Sequence, residues 1–250
     1  PNPQSPIPNK NIIYIFIIFI LKIIFIQQKD NNKKINMEDS LKKNDDKEEQ
    51  ESDNIYLNEM KNELKKAALD FRTGKTDGKE DTKVDKMLKL LNMIKLSSTI
   101  KILKDDNAPI EIIPHLYLGS IGSASNLKQL QNCKITHILC CASGIKNFFP
   151  NNFKYLNLDI LDSEKVNIKQ YFEQTNQFID EAIKNNGSVL VHCHAGISRS
   201  STILMAYIMK SQKMSVDKVL DLLKSKREKV NPNSGFIGQL REYEKDLGII

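Results

Sequence analysis

Residues His192–Ser200 read HCHAGISRS. Cys193 is followed by five residues, then Arg199, then the hydroxyl residue Ser200. The apolar run Val189–Val191 leads in and predicts a buried strand. Ser201–Lys210, STILMAYIMK, leads out and predicts a helix. A strand–loop–helix of this kind aims the backbone N–H groups from His194 to Arg199 at one point beside a helix N-terminus, which suits an anion.

The residue types fit one chemistry. A thiol at such a place titrates well below its ordinary value of about 8.5, so Cys193 is expected to be a thiolate at neutral pH. The amides of His194, Ala195, Gly196, Ile197 and Ser198 can bind the oxygens of a phosphate monoester. The Arg199 guanidinium can fork onto two of those oxygens. Sulfur then stands in line to attack phosphorus and form a phosphocysteine. Ser200 can donate to the sulfur when it leaves in the second step. Gly196 lets the backbone approach the ligand closely.

With strand, loop and helix in this order, HCHAGISRS resembles the phosphate loop of the cysteine-dependent protein phosphatases, specifically the dual-specificity family. The resemblance runs from Pro109 to Ile250. IIPHLYLGS (Ile112–Ser120) is similar to the family's opening hairpin strand, and ITHILCCAS (Ile135–Ser143) to a central buried strand. FKYLNLDILD (Phe153–Asp162) is similar to the strand and loop that carry the general acid, and NPNSGFIGQL (Asn231–Leu240) to the start of the last helix. The implied fold is α/β: a central, mostly parallel twisted sheet flanked by helices, with the phosphate loop between a strand and a helix. The implied activity is hydrolysis of phosphotyrosine and of phosphoserine or phosphothreonine esters through a phosphocysteine, with no metal and no organic cofactor.

A second group must protonate the leaving oxygen and then activate water. Asp159 and Asp162 both fall near the end of the YLNLDIL stretch. Alternation sets Leu156, Leu158 and Ile160 on one face and turns Asp159 away. Aligned on the family's apolar pattern, Asp162 takes the general-acid place. His192 orients the thiolate region, as the resemblance implies. His194 occupies a variable position and receives no chemical role. His115 and His137 are expected on strands as structural residues. Cys140 and Cys141 end the HILCC stretch, and are either buried core thiols or redox partners of Cys193. Neither histidines nor cysteines show metal-ligand spacing.

The loop interior carries no lysine, unlike relatives that act on inositol lipids, so phosphoproteins are the expected partners and a phosphoinositide is the alternative substrate. A non-catalytic phosphoprotein-binding scaffold is a further alternative. Relatives of that kind usually lack the cysteine or the arginine, and both are present here.

The rest of the chain reads as three pieces. Residues 12–26 are an apolar run interrupted by Lys22, short against the ~20 residues of a spanning helix. Residues 1–36 are read as upstream sequence ahead of a natural start at Met37, with a weak membrane anchor as the alternative. Residues 37–82 are charged, mixed in sign and poor in aromatics, and are expected to be disordered. Within them Lys65 and Lys66 before Ala67–Phe71 loosely resemble a docking peptide for mitogen-activated protein kinases. Residues 83–108 are a basic amphipathic helix and linker, with Val84, Met87, Leu88, Leu91, Ile94 and Ser98 as its packing stripe. Residues 109–250 form the catalytic domain.

Four cysteines in 250 residues suggest no disulfide framework and place the chain in a reducing compartment, the cytoplasm with the nucleus as a further location. The net charge of +6 is spread along the chain without aromatic interleaving, so no nucleic-acid partner is expected.

Overall fold

The computed structural model describes residues 47–73, 75–76, 79–80 and 82–250. The apolar run 12–26, and the reading of residues 1–36 built on it, lie outside the described residues.

Helix α1 spans Lys47–Thr73. The two-residue strands β1 (Lys75–Thr76) and β2 (Lys79–Glu80) pair antiparallel, and α2 spans Lys83–Asp105. Then come β3 (Ile110–Ile113), β4 (Leu116–Gly119), α3 (Ile121–Ala124), α4 (Leu127–Asn132), β5 (Ile135–Cys140) and β6 (Lys154–Asn157). A 3-10 turn at Lys169–Tyr171 precedes α5 (Phe172–Lys184), β7 (Ser188–His192), α6 (Arg199–Gln212), α7 (Val216–Lys226) and α8 (Ser234–Asp246).

The main sheet has the order β3-β4-β7-β5-β6. Only the β3–β4 hairpin is antiparallel; β4–β7, β7–β5 and β5–β6 are parallel. The α/β expectation with a mostly parallel sheet holds. Pairing of Gly119 with His192, Cys140 with His192 and Cys140 with Asn157 brings four strand ends to one edge. That edge is where open parallel sheets present their ligand sites.

Helix α6 lies at the centre of the helical layer. Every residue from Ser200 to Met209 is buried, between β7 and β4 on one side and α5, α7 and α8 on the others. A helix that is apolar all round needs such an enclosure. It starts at Arg199, two residues earlier than its apolar stretch predicts, with the Ser198 carbonyl accepting from the Thr202 amide and Thr202 Oγ1 in the first turn. A smaller cluster on the opposite face joins Ala124, Leu130, Ile135, Ile138 and Leu190.

Four expectations change. His115 lies in the β3–β4 turn with φ of 67°, not on a strand. Strand β6 stops at Asn157, although Leu158 and Ile160 stay buried as alternation predicts. Residues 47–73, within the stretch expected to be disordered, form α1, and Ala67–Phe71 is helical there. Tyr56 of α1 meets Phe148 edge-on at 4.9 Å, and Lys146 bonds Glu59 at 3.1 Å. Lastly, α2 is a helix as predicted but buries a different stripe. Met93, Leu96, Thr99 and Leu103 are buried, whereas Val84, Met87, Leu88, Leu91 and Ile94 are exposed. The helix carries two apolar stripes, and the one that includes the small polar Thr99 faces the domain.

Among the described residues no helix is long and apolar enough to cross a membrane.

Candidate active site

The loop after β7 is shaped by what holds its carbonyls. The Ile121 amide donates to the His194 carbonyl at 3.1 Å. Arg227 Nη2 donates to the Ala195 carbonyl at 3.1 Å, and its Nε to the Gly196 carbonyl at 3.0 Å. The Ile197 carbonyl accepts from the Asn231 amide and from Ser201 Oγ. The Ser198 carbonyl accepts from Thr202 Oγ1 and from the Thr202 amide, and shares the single Ser201 hydroxyl proton with the Ile197 carbonyl. With successive carbonyls held by protein donors, the amides are the polar groups left for an anion, as in a backbone nest.

Gly196 makes this path possible. Its φ is 65°, and a Cβ there would stand 2.5 Å from the Gly119 carbonyl oxygen and 2.6 Å from Arg227 Nη2. No other residue fits so tight a left-handed position without displacing backbone.

Cys193 lies at the base, 2% exposed. Ser200 Oγ donates to its sulfur at 3.2 Å and the Gly196 amide at 3.3 Å. Burial works against the thiolate and is the largest single influence. The Ser200 hydroxyl, the Arg199 charge and the Ser200 and Gly196 amides together outweigh it, so the thiol titrates below its ordinary value. His192 is fully buried, and that burial lowers its pKa to about 4. It is therefore neutral at physiological pH, and its Nδ1–H faces the Cys193 carbonyl at 3.3 Å. It thus meets the start of the loop as an uncharged hydrogen-bond donor.

Arg199 Nη1 donates to the Ile160 carbonyl at 3.1 Å, which fixes the guanidinium. Its Nε is buried with no hydrogen-bond partner among the described residues, and stands 3.7 Å from Asp162 Oδ2. Nε thus faces the Asp162 carboxylate as an ion-pair neighbour beyond hydrogen-bond reach, at the rim of the amide nest.

Asp162 reaches this rim from the loop after β6. Its Oδ1 accepts from Ser198 Oγ at 2.8 Å and from Asn233 Nδ2 at 3.0 Å. Asp159 is exposed and points away, as alternation predicts. The fold therefore brings together Cys193, Arg199, Ser200, Asp162 and the loop 194–198.

Sequence reasoning missed Asn233 and Arg227. Asn233 shows as a helix N-cap residue, and Arg227 shows no local signal. Cys140 and Cys141 are buried next to the site. Burial pushes the Cys140 thiol up to about 11 and the Cys141 thiol well above its usual value. Both therefore stay protonated and behave as core residues, unlike Cys193.

Residues 116–246, just over half of the chain, match the family model "Dual specificity phosphatase, catalytic domain". The chain belongs to the dual specificity phosphatases. It is 43% identical over 160 residues to Dual specificity protein phosphatase 1 of Arabidopsis thaliana, covering 64% of this chain and 79% of that one. It is 49% identical over 140 residues to MAP kinase phosphatase with leucine-rich repeats protein 3 of Dictyostelium discoideum, covering 56% of this chain but 16% of that one. Among solved structures it is similar to the human tyrosine phosphatase-like serine/threonine/tyrosine-interacting protein. That match has a TM-score of 0.54 and 42% identity, and covers 56% of this chain and 97% of the other. Helix α2 and Asp106 lie before the residues that match the family model.

Proposed function

We propose that this dual specificity phosphatase removes phosphate from tyrosine and from serine or threonine of phosphoproteins through a phosphocysteine on Cys193. The carrying observation is the sulfur held by Ser200 Oγ and the Gly196 amide at the base of a loop whose carbonyls are engaged elsewhere. In the first step the Cys193 thiolate attacks phosphorus. The ester P–O bond breaks and Asp162 gives its proton to the departing oxygen. The loop amides and Arg199 stabilise charge on the three equatorial oxygens. In the second step Asp162 takes a proton from water, the oxygen attacks phosphorus, and sulfur leaves as a thiolate supported by Ser200.

The loop interior His194–Ser198 has no lysine, which suits a singly phosphorylated side chain. The name of the Dictyostelium relative supports mitogen-activated protein kinases as one substrate class. Such substrates, and the four free cysteines, fit a reducing cytoplasmic or nuclear setting. The test compares turnover of doubly phosphorylated kinase-loop peptides with that of phosphoinositides. Faster peptide hydrolysis supports the reading, and faster lipid hydrolysis overturns its substrate class. Absent turnover of both, and of an aryl phosphate, favours the phosphate-binding scaffold instead.

A further inference from the structure

The C-terminal half of α2 touches the phosphate loop. Thr99 is 5% exposed, and its Oγ1 lies 3.0 Å from His194 Nε2. The same hydroxyl donates its single proton to the Lys95 carbonyl at 3.0 Å. Thr99 Oγ1 thus bridges the Lys95 carbonyl and His194 Nε2, and sets the ring of the residue that follows Cys193.

A second tie lies seven residues further on. Asp106, the C-cap of α2, receives a two-pronged bond from Arg227, with Oδ1 at 3.0 Å from Nη1 and Oδ2 at 2.7 Å from Nη2. Arg227, with a side chain 2% exposed, is the group that holds the Ala195 and Gly196 carbonyls. Lys229 joins the same carboxylate.

The end of α2 is also seated closely. Ser120 Oγ donates to the Asp106 carbonyl at 2.8 Å and Ser123 Oγ to the Ala108 carbonyl at 3.0 Å. A Cβ on Gly122 would stand 2.5 Å from the Asp106 carbonyl oxygen. The same short helix α3 supplies the Ile121 amide that holds the His194 carbonyl. Three lines of contact thus run from α2 to the three consecutive residues His194, Ala195 and Gly196.

We propose that Thr99 and Asp106 are positioning residues, through which α2 holds the phosphate loop in its anion-binding shape. The residues that match the family model begin at 116, so this brace comes from chain ahead of that match. Neither residue touches substrate; each acts through a partner, Thr99 through His194 and Asp106 through Arg227. The inference rests on the loop being the phosphate site.

The test uses the full chain and orthovanadate as the oxyanion. Vanadate affinity is read by titration calorimetry, beside kcat/KM on an aryl phosphate and the thermal midpoint. Thr99→Val removes the hydroxyl at constant shape, and Thr99→Ser restores it. Thr99→Val is expected to weaken vanadate binding about fivefold, the size of one lost hydrogen bond, with a parallel fall in kcat/KM, and Thr99→Ser to recover both. Asp106→Asn, which loses one prong and the charge, is expected to weaken binding about tenfold or more. The proposal is overturned if both folded variants keep vanadate affinity and kcat/KM within about twofold of the parent, if Thr99→Ser behaves as Thr99→Val, or if the variants merely unfold. Vanadate binding by a parent that turns over nothing would sink the phosphatase reading, while the brace would still be read in binding.

Discussion

Asn233 uses both ends of one amide at the site. Its Nδ2 donates to Asp162 Oδ1 at 3.0 Å, while its Oδ1 accepts from the Phe236 amide at 3.0 Å and caps α8. The last helix of the domain thereby sets the position of the carboxylate proposed as general acid. Asn233→Asp keeps a capping oxygen but faces Asp162 with a like charge. We expect its thermal midpoint to stay near that of the parent, because an Asp caps about as well as an Asn. Hydrolysis of poor leaving groups should fall. A variant that instead loses stability and keeps its leaving-group profile would show that the contact serves the cap alone.

Asp162→Ala removes the carboxyl group proposed to protonate the leaving oxygen. The loss for an alkyl phosphate or phenyl phosphate should reach roughly 100-fold to 10,000-fold. With p-nitrophenyl phosphate, whose leaving group needs little protonation, the loss should be much smaller. Asp159→Ala, at an exposed position, should leave both rates close to the parent. Equal loss on all leaving groups for Asp162→Ala would move the role elsewhere.

Ser200→Ala takes away the hydroxyl that donates to Cys193 Sγ at 3.2 Å. The thiolate becomes a poorer leaving group in the second step and a weaker acid before the first. Rapid-mixing experiments should show a burst of phenol followed by a slow steady state. No burst, with an unchanged steady rate, would contradict the role given to this hydroxyl.

The direction of the Cys193 shift fixes a pH profile. Its pKa in the fold lies below the ordinary thiol value, because the Ser200 hydroxyl, Arg199 and two amides outweigh burial. Alkylation by iodoacetate should therefore persist to lower pH than for an ordinary thiol, then fall as pH drops through the lowered pKa. The same linkage makes the thiolate stabilising above the unfolded-state pKa, and that stabilisation is lost as pH falls through the folded one. Cys140 and Cys141, whose thiols are pushed up by burial, should remain unlabelled across this range. Peptide mapping by mass spectrometry after timed labelling reads all three sites.

What could be read in the sequence was local. Strand, loop and helix around Cys193 are contiguous, so spacing, periodicity and the family resemblance of HCHAGISRS placed Cys193, the loop amides and Arg199 together. Asp162 followed from alternation and from the family's pattern. The contacts that shape the site come from far along the chain: Arg227 lies 31 residues from Gly196 and Thr99 lies 95 residues from His194. No local pattern announces such ties, which only tertiary packing creates. Helix α2 shows why amphipathicity alone misled. Val84, Met87, Leu88, Leu91 and Ile94 recur at helical spacing as well as the buried Met93, Leu96 and Leu103 do. The stripe that packs is the one that carries Thr99, whose hydroxyl lies 3.0 Å from His194 Nε2.

The most direct measurement is acid quench of a single turnover with an aryl phosphate, followed by mass analysis of the peptide that contains Cys193. A transient phosphoryl adduct on that peptide, formed as the phenol appears and lost as phosphate is released, is the predicted result, with none in Cys193→Ser. Phosphate released without any adduct, or at the parent rate from Cys193→Ser, would contradict the account.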